Sequence, residues 1–337
     1  VDIAVNTDRP EILVTTIVNV TPDQGDRLGL IEDPITGDDA VEAVVAYYVD
    51  PFTGAIMNDP EFPDQPFLFT VVGNPAGGLE TLDVEYNPVS KEYVVITKGN
   101  DNQEAQGFTF GQPLMGRVNS FDKVLAGEDA LVDARQIDDF VAGYDDVSLA
   151  ISTVNGNILV VAEQSVPDEG EGIISFLLDT ELNPLTTNAR LDTLESTRDE
   201  DDPDVIYSAA HDVFIALTNI DPSTENNRIT LMVVQPEPDA NGDLVFGTQQ
   251  VVGTARKTGV NQGHAALVDN PFNGQFILAL DYGNGNDGGD LVYLELTESG
   301  SFVSTAAQVP YLEATGGDPF NHRHPQMAAD PNSDVLV

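Results

Sequence analysis

The sequence contains no cysteine and no tryptophan, and it has only 13 Lys and Arg residues against 57 Asp and Glu. Without cysteine the chain cannot form disulfides, use a thiol as a nucleophile, or hold an iron–sulfur cluster or c-type haem. No apolar run approaches the roughly 18 residues of a membrane-spanning helix. The glycine-rich phosphate loop of nucleotide-binding proteins is also missing, so we expect no nucleotide cofactor.

The formal net charge of the chain is −44 at pH 7. Duplex nucleic acid carries about one negative charge per 1.7 Å of helix axis and requires clustered basic residues in its partners, so nucleic acid is excluded as a partner. Anionic membrane surfaces are disfavoured for the same reason. Because self-repulsion of this size destabilises a fold unless salt or divalent cations screen it, we expect a saline, extracellular or cell-surface environment.

A chain of 337 residues with 41% hydrophobic residues can nevertheless bury a large core. It begins at Val1 without a methionine and stops in the strand-like run Asp334–Val337. We therefore interpret it as a processed or partial product, from which a signal peptide could already have been removed.

A short strand, a turn and a second strand rich in Val, Ile and Leu recur along the chain. The clearest copies are residues 82–88 before 93–96 and residues 266–271 before 276–280, which align without a gap when Pro88 is placed on Pro271. The copies recur about every 60 residues, slightly longer than a common propeller blade. Their second strands are anchored at Ile12, Tyr93, Ile158, Phe214, Phe276 and Val335.

This repeat predicts an all-β fold, a β-propeller of six or seven four-stranded blades whose last blade is incomplete in this chain. Residues 1–337 then form a single propeller domain. Its approximate units are 1–79, 80–143, 144–199, 200–260, 261–320 and a partial unit at 321–337. A stack of β-sandwich domains is the alternative, although sandwich repeats usually run near 100 residues.

Two segments depart from the simple repeat. Residues 41–48 have the length of a short helix, but their β-branched residues also suit a strand. The proline-rich stretch from Pro51 to Pro66 lengthens the first unit, and we expect it to form a long surface loop.

The units resemble those of bacterial and archaeal extracellular β-propeller repeat proteins, in which a Tyr-Asn-Pro strand end precedes a Tyr-Val-Val strand. Tyr86-Asn87-Pro88 and Tyr93-Val94-Val95 carry this resemblance best. The family includes adhesion modules, surface-layer or matrix components and carbohydrate-active enzymes. The resemblance therefore implies architecture and an exterior location more than an activity.

In a propeller the first strand of each blade lines the central channel. The repeat aligns Thr81 with Asp146, Asp202, His264 and His324, so these four ionisable side chains could meet at one mouth of the channel and share a divalent metal or catalyse a reaction. Strand-start hydrogen bonds or contact with channel water is the simpler interpretation. His322 and His324 could also form a ligand pair on one strand face, or lie in an exposed terminal loop.

Three acidic loops are candidate calcium sites, because calcium prefers oxygen ligands on tight turns. The same Asp, Asn and Gly patterns also form ordinary hairpin turns. The candidate ligands are Asp201, Asp202, Asp204, Asp239, Asn241, Asp243, Asp287 and Asp290.

These observations favour a non-enzymatic extracellular structural or interaction protein, such as a surface-layer, fibre or matrix subunit. The unfinished sixth unit leaves a strand edge, so the expected partner is a second copy of the chain, joined through strand edges and cation bridges. The alternative is a polysaccharide-active enzyme, a hydrolase or lyase, with an extracellular glycan at the channel mouth and Asp146, Asp202, His264 and His324 as its catalytic residues. A ligand-binding propeller without catalysis is the third possibility.

Overall fold

The fold is described from a computed structural model, which divides into two compact units, Val1–Gly156 and Asn157–Val337. The residues that it describes are 1–19, 42–64, 66–74, 78–99, 113–137, 144–166, 170–191, 199–221, 227–255, 265–270, 275–280, 290–297, 300–304 and 309–310. Within these ranges the regular secondary structure is β-strand apart from one short helix, and none of the helices is long and apolar enough to cross a bilayer.

The described part of the first unit contains nine strands and one short helix. They are β1 (Asp2–Val5), β2 (Ile12–Asn19), β3 (Glu42–Val49), β4 (Leu68–Asn74), β5 (Leu79–Asn87), β6 (Glu92–Gly99), β7 (Pro113–Asn119), α1 (Phe121–Leu125), β8 (Leu131–Gln136) and β9 (Tyr144–Ile151). The segment that could have been a helix is therefore a strand, β3, in keeping with its β-branched residues.

The second unit contains the remaining strands. They are β10 (Ile158–Val166), β11 (Gly170–Leu178), β12 (Ala189–Arg190), β13 (Asp199–Ser208), β14 (Val213–Asp221), β15 (Asn227–Val234), β16 (Gln250–Ala255), β17 (Ala265–Asn270), β18 (Gln275–Leu280), β19 (Asp290–Leu296), β20 (Phe302–Ser304) and β21 (Val309–Pro310).

Strands that follow one another in the chain also pair with one another. In the described part of the chain they form five antiparallel sheets, β1–β4, β5–β8, β9–β12, β13–β16 and β17–β20, with β21 added to β19. Successive four-stranded sheets of this kind are the building plan of propeller blades. The all-β prediction is confirmed and the propeller fold is supported, but a count of six or seven blades is not. The predicted partial unit 321–337 lies outside the described residues.

The second strands of the second and third sheets are deeply buried. Tyr93, Val95 and Ile96 of β6 have no exposed surface, and neither do Leu159 and Val160 of β10. A strand covered on both faces reads as a continuous apolar run, because neither face must remain in contact with water. This explains why the second strands were the clearest part of the repeat.

The turn between the first and second strands is built in the same way in successive sheets. The side-chain oxygens of Asn6, Asn87 and Ser152 each accept hydrogen bonds from the two backbone N–H groups that lie two and three residues later, at 2.9–3.4 Å. Such bonds let a side chain replace part of the turn's backbone pairing. The repeat seen in the sequence therefore has an atomic counterpart.

The turn between the third and fourth strands also repeats in the second unit. Asp179 Oδ1 accepts the N–H groups of Glu181 and Asn183, and Asp239 Oδ1 accepts those of Asn241 and Asp243, at 2.8–2.9 Å. The third copy uses a hydroxyl, since Thr297 Oγ1 accepts the N–H of Ser301 at 3.1 Å. Three residues after each acceptor the backbone is left-handed, at Leu182 (φ 62°), Gly242 (φ 85°) and Gly300 (φ 78°).

Each unit has its own apolar core. The first contains an aromatic cluster in which Tyr48 lies within 6.4 Å, between ring centroids, of Phe67, Phe69, Phe121 and Tyr93. The second is mainly aliphatic and is centred on β14, β15 and β18, with Phe276 as its largest buried ring. Aromatic side chains bring large buried area and also polar hydroxyls that need partners, which becomes important at the turn end of the first unit.

Candidate functional site

Each sheet has two chemically different ends. We call the end where its first strand begins the start end, and the end where its first strand turns into the second the turn end. The predicted channel-mouth residues belong to the start end. Asp146 is half-buried in β9, and Asp202 lies in β13 with its side chain outside the described part. His264 and His324 lie outside the described residues, so the proposed ring of four stays a prediction.

Strand register supports the alignment on which that ring was based. Tyr86 pairs with Tyr93, and Tyr207 pairs with Phe214, which places Thr81 and Asp202 at matching positions, five residues before Tyr86 and Tyr207. Both positions lie in irregularities of the ladder, between Leu79 and Leu82 and between Asp201 and Asp204. Bulges redirect side chains and are common beside active sites. In the described part of the chain, the buried Thr81 hydroxyl makes no hydrogen bond.

Buried ionisable side chains occur at the start end of two second strands. Lys98 is 2% exposed and Glu163 is 5% exposed, and each lies five residues after the anchor of its strand, Tyr93 or Ile158. The matching residue in β14 is the buried amide Asn219. Charged side chains are almost never buried in this way without a specific partner or a function. The same backbone position thus holds a cation, an acid and an amide in three sheets.

In the second unit, topology brings acids to one end of two neighbouring sheets. Strands β10 and β11 pack against β13. Strand β10 runs from the turn end to the start end of its sheet, and Glu163 lies in its second half. Strand β13 runs from the start end to the turn end of its sheet, so its first residues also lie at a start end. The first residues of β13 are Asp199, Glu200, Asp201, Asp202, Pro203 and Asp204. Glu163 therefore lies in the start-end half of a strand that packs against β13.

Other acids on the first strands have a structural role. Asp2 Oδ2 accepts the N–H of Val84 at 2.8 Å, and Asp83 Oδ2 accepts the N–H of Leu149 at 2.8 Å. Asp2 and Asp83 occupy equivalent register positions, and each bonds the first strand of the next sheet. Their carboxylates join adjacent sheets, which removes them from the candidates for chemistry.

Among the calcium candidates, the Asp239 loop has the most complete description. Backbone N–H groups of Asp243 and Asn241 bond the Asp239 carboxylate and hold its pKa below the usual range. This is the ordinary turn described above. Asp204 Oδ1 accepts the N–H of Val205 at 2.8 Å. The described residues contain no group of three or more acidic or histidine ligands, and calcium binding stays a prediction. Asp287 lies outside the described residues, as do the side chains of Asp201, Asp202 and Asp290.

The turn end of the first unit contains a buried polar network centred on Glu11. Glu11 Oε1 accepts the Tyr93 hydroxyl at 2.8 Å, and Glu11 Oε2 accepts the N–H of Phe121 at 3.0 Å. Burial and the nearby Glu11 carboxylate raise the pKa of Tyr93 and Tyr48 far above the usual range, so both phenols stay neutral. The Tyr48 hydroxyl donates to the carbonyl of Asn119. These contacts tie the first two sheets and α1 together.

The turn end of the second unit contains a looser polar group. Burial raises the pKa of Asp269, and the nearby Ser208 hydroxyl and His211 ring partly offset this rise. Although Ser208 lies close, neither its Oγ nor Asp269 Oδ1 makes a hydrogen bond of ordinary geometry with any described residue. His211 packs on Phe276 with 5.6 Å between ring centroids. This carboxyl is therefore held in a site that favours its protonated form.

Sequence reasoning missed Lys98, Glu163 and Glu11. The signal for the first two was present, because each follows an apolar run: Val94-Val95-Ile96 is separated from Lys98 by one threonine, and Val160-Val161-Ala162 directly precedes Glu163. A charge placed at the end of a fully buried strand is unusual. Glu11 had no comparable signal, since it follows a polar turn.

No protein-family model matches the chain, and no curated protein matches it. Solved structures do. A GH43 β-1,3-galactosidase matches with a TM-score of 0.44 and 10% identity over 92% of this chain and 94% of that chain. The endo-arabinase of Bacteroides thetaiotaomicron VPI-5482 matches with a TM-score of 0.42 and 13% identity over 93% of this chain and 94% of that chain. A xylan β-1,4-xylosidase from Bacillus halodurans C-125 matches with a TM-score of 0.44 and 14% identity over 99% of this chain but 58% of that chain.

These matches correct one expectation from the sequence. They are named as enzymes that act on glycans, which contradicts the interpretation of the chain as a non-enzymatic structural or interaction protein. At these identities no residue role can be transferred, so any catalytic group must be argued from the residues of this chain.

Proposed function

We propose that this chain is a polysaccharide-active enzyme, most simply a glycoside hydrolase, whose site lies at the start end of its sheets. The observation that supports this proposal is Glu163, a buried carboxyl in the start-end half of β10, a strand that packs against β13, whose first residues are acidic. Burying a carboxyl costs free energy, and such a cost is typical of functional sites.

Glycoside hydrolysis uses two carboxyl groups in different protonation states. One donates a proton to the leaving oxygen, while the other acts as a nucleophile or activates a water molecule. We propose Glu163 as the proton donor and Asp202, in the irregular stretch of β13 between Asp201 and Asp204, as the second carboxyl. Asp146, His264 and His324 remain predicted contributors.

The charge of the chain limits the substrate. A net charge of −44 repels polyanionic glycans, particularly at low ionic strength. A lyase that eliminates across a uronic acid would need such an anionic substrate. We therefore propose a neutral polysaccharide as the substrate and hydrolysis as the reaction, acting outside the cell.

The proposal is tested by screening the protein for released sugars on soluble arabinan, xylan, galactan and polygalacturonate. We expect hydrolysis of at least one neutral polymer. Glu163→Gln and Asp202→Asn should each lower kcat about a thousandfold, because each removes an acid–base or nucleophilic function. The matched control, Glu181→Gln, changes an exposed glutamate on the turn between β11 and β12 and should keep full activity.

Thermal unfolding of the same variants separates catalysis from folding. The midpoints of Glu163→Gln and Asp202→Asn should stay close to that of the parent protein, or rise. Absence of hydrolysis on every polymer, or unchanged kcat in both variants, would remove this assignment.

A further inference from the structure

The segment between β3 and β4, residues 50–67, projects from the turn end of the first sheet. We call it the β3–β4 extension. Val49, the last residue of β3, pairs with Ile12, directly after the first turn of the sheet. The eight residues of β2 separate this end from the start end, a distance of roughly 25 Å at about 3.3 Å per residue. The extension is therefore remote from the proposed catalytic end of its own sheet.

Two tight turns give the extension a defined shape. Asp50 Oδ1 accepts the N–H groups of Phe52 and Thr53 at 2.8 and 3.1 Å. Asp59 Oδ1 accepts those of Glu61 and Phe62 at 2.7 and 3.3 Å. Each turn thus holds one phenylalanine, and the expected long surface loop is a pair of hydrogen-bonded turns.

The base of the extension is fixed to the core. The N–H of Met57 donates to the carbonyl of Tyr48 at 2.8 Å, and the N–H of Phe67 donates to the carbonyl of Met57 at 3.0 Å. The Phe67 ring stacks on Tyr48 with 6.0 Å between centroids and 11° between planes. The two turns are therefore carried on a rigid support.

The phenylalanines of the turns point to solvent. Phe52 is 83% exposed and Phe62 is 56% exposed, and Ile56 between the two turns is 41% exposed. Burying a phenylalanine is favourable, so two exposed rings on hydrogen-bonded turns forgo a stabilisation that a buried position would give. An apolar surface of this kind commonly marks a binding site.

We propose that the β3–β4 extension is a binding surface for a neutral polysaccharide, with Phe52 and Phe62 as platforms for sugar rings. This proposal rests on the proposed function in one respect, the choice of a neutral polysaccharide as the ligand. Residues 50–67 contain the acids Asp50, Asp59, Glu61 and Asp64 and no Lys or Arg, so the surface repels anionic polymers. Aromatic faces pack against the apolar faces of sugars, and carboxylates accept hydrogen bonds from sugar hydroxyls.

A protein partner fits this surface less well. The centres of protein interfaces are depleted of charged residues, whereas here acidic residues lie within two positions of both phenylalanines in the sequence. A protein partner would need apolar contact at positions 52 and 62, and a leucine could supply that contact as well as a phenylalanine. A sugar platform requires a flat aromatic face. This difference can be measured.

The test is affinity gel electrophoresis of the full chain in gels containing soluble arabinan, xylan or galactan, with polygalacturonate as the anionic comparison. We expect at least one neutral polymer to retard the parent protein. The double variant Phe52→Ala/Phe62→Ala should bind about tenfold more weakly, and Phe52→Leu/Phe62→Leu should lose a similar amount. Phe52→Tyr/Phe62→Tyr should bind within about twofold of the parent, because the aromatic face remains.

The matched controls are Leu125→Ala and Val89→Ala, which remove exposed apolar side chains elsewhere in the same unit and should leave binding unchanged. Three results would each overturn the proposal: no retardation by any neutral polymer, full binding by the alanine variant, or full binding by the leucine variant.

Failure of this inference can be distinguished from failure of the proposed function. Hydrolysis of short oligosaccharides should be the same in the parent and in all the phenylalanine variants. Binding without hydrolysis would remove the proposed function and leave the surface standing. Hydrolysis by a protein whose polysaccharide binding is unaffected by the alanine substitutions would remove the binding surface and leave the proposed function standing.

Discussion

The two ends of the sheets differ in how strictly their side chains repeat from one sheet to the next. At the turn end the same local hydrogen bonds recur from sheet to sheet, with Asn6, Asn87 and Ser152 accepting equivalent backbone N–H groups. At the start end the residues at one repeated position differ in charge, as Lys98 and Glu163 illustrate. Contacts that stabilise the fold are expected to be the same in each sheet, whereas a reactive site needs side chains of different chemistry from different sheets. The comparison fits our proposal that the chemistry lies at the start end and that the repeated contacts of the turn end stabilise the fold.

The aromatic and polar network of the first unit is the strongest case for the folding role of the turn end. Glu11→Ala removes the acceptor of both the Tyr93 hydroxyl and the Phe121 N–H, and it leaves those donors buried. We expect the free energy of unfolding to fall by about 3 kcal/mol. Urea denaturation measures the change, and Glu61→Ala, on an exposed turn, should change stability by less than about 0.5 kcal/mol. A Glu11→Ala protein as stable as the parent would show that the network is incidental.

The left-handed turn residues allow a sharper test of the same idea. Lys91 (φ 58°) is exposed, whereas Leu182 (φ 62°) is 1% exposed. Glycine relieves a left-handed backbone by roughly 1 kcal/mol, so Lys91→Gly should raise the free energy of unfolding by about 0.5 kcal/mol after the larger entropy of the unfolded chain is counted.

Leu182→Gly gains the same relief but loses the burial of a leucine, and it should lower the free energy of unfolding by about 1–2 kcal/mol. Opposite signs for the two variants are the expected outcome in urea denaturation. A loss of stability in both would mean that backbone strain does not limit these turns.

The smallest expected effect is the pH dependence contributed by Asp269. Burial raises its pKa in the folded protein, so the folded state favours the protonated carboxyl. The resulting destabilisation is fully present above the folded pKa and disappears below the unfolded pKa of about 3.9. Asp269→Asn should therefore be more stable than the parent near pH 7, and this advantage should shrink as the pH falls towards 4.

Urea denaturation at several pH values measures the advantage, with the exposed Asp243→Asn as the control. If Asp269→Asn is less stable than the parent at pH 7, the Asp269 carboxylate stabilises the fold as a hydrogen-bond acceptor, and the expected gain in stability is wrong.

The repeat and its first turn could be predicted from the sequence because they depend on local rules. Asn87 before Pro88, and apolar runs such as Val94-Val95-Ile96, specify a turn and a doubly covered strand without knowledge of the rest of the chain. The lengthened first unit was also recognised, although its two tight turns were not.

The start end could not be predicted in the same way. Whether Glu163 is buried depends on how β10 packs against β13, which is a contact between distant segments. The function was misjudged for a related reason, since the acidic composition describes the whole surface and identifies no single carboxyl. The structural matches overturned that interpretation, and the buried side chains indicated where to look.

The most direct test of the central claim is a crystal structure of the Glu163→Gln variant soaked with a short oligosaccharide of whichever neutral polysaccharide the parent protein degrades. Our account predicts a sugar at the start end, with its glycosidic oxygen within hydrogen-bonding distance of residue 163. Sugar bound only at the turn loops, or an empty start end at saturating concentration, would contradict it.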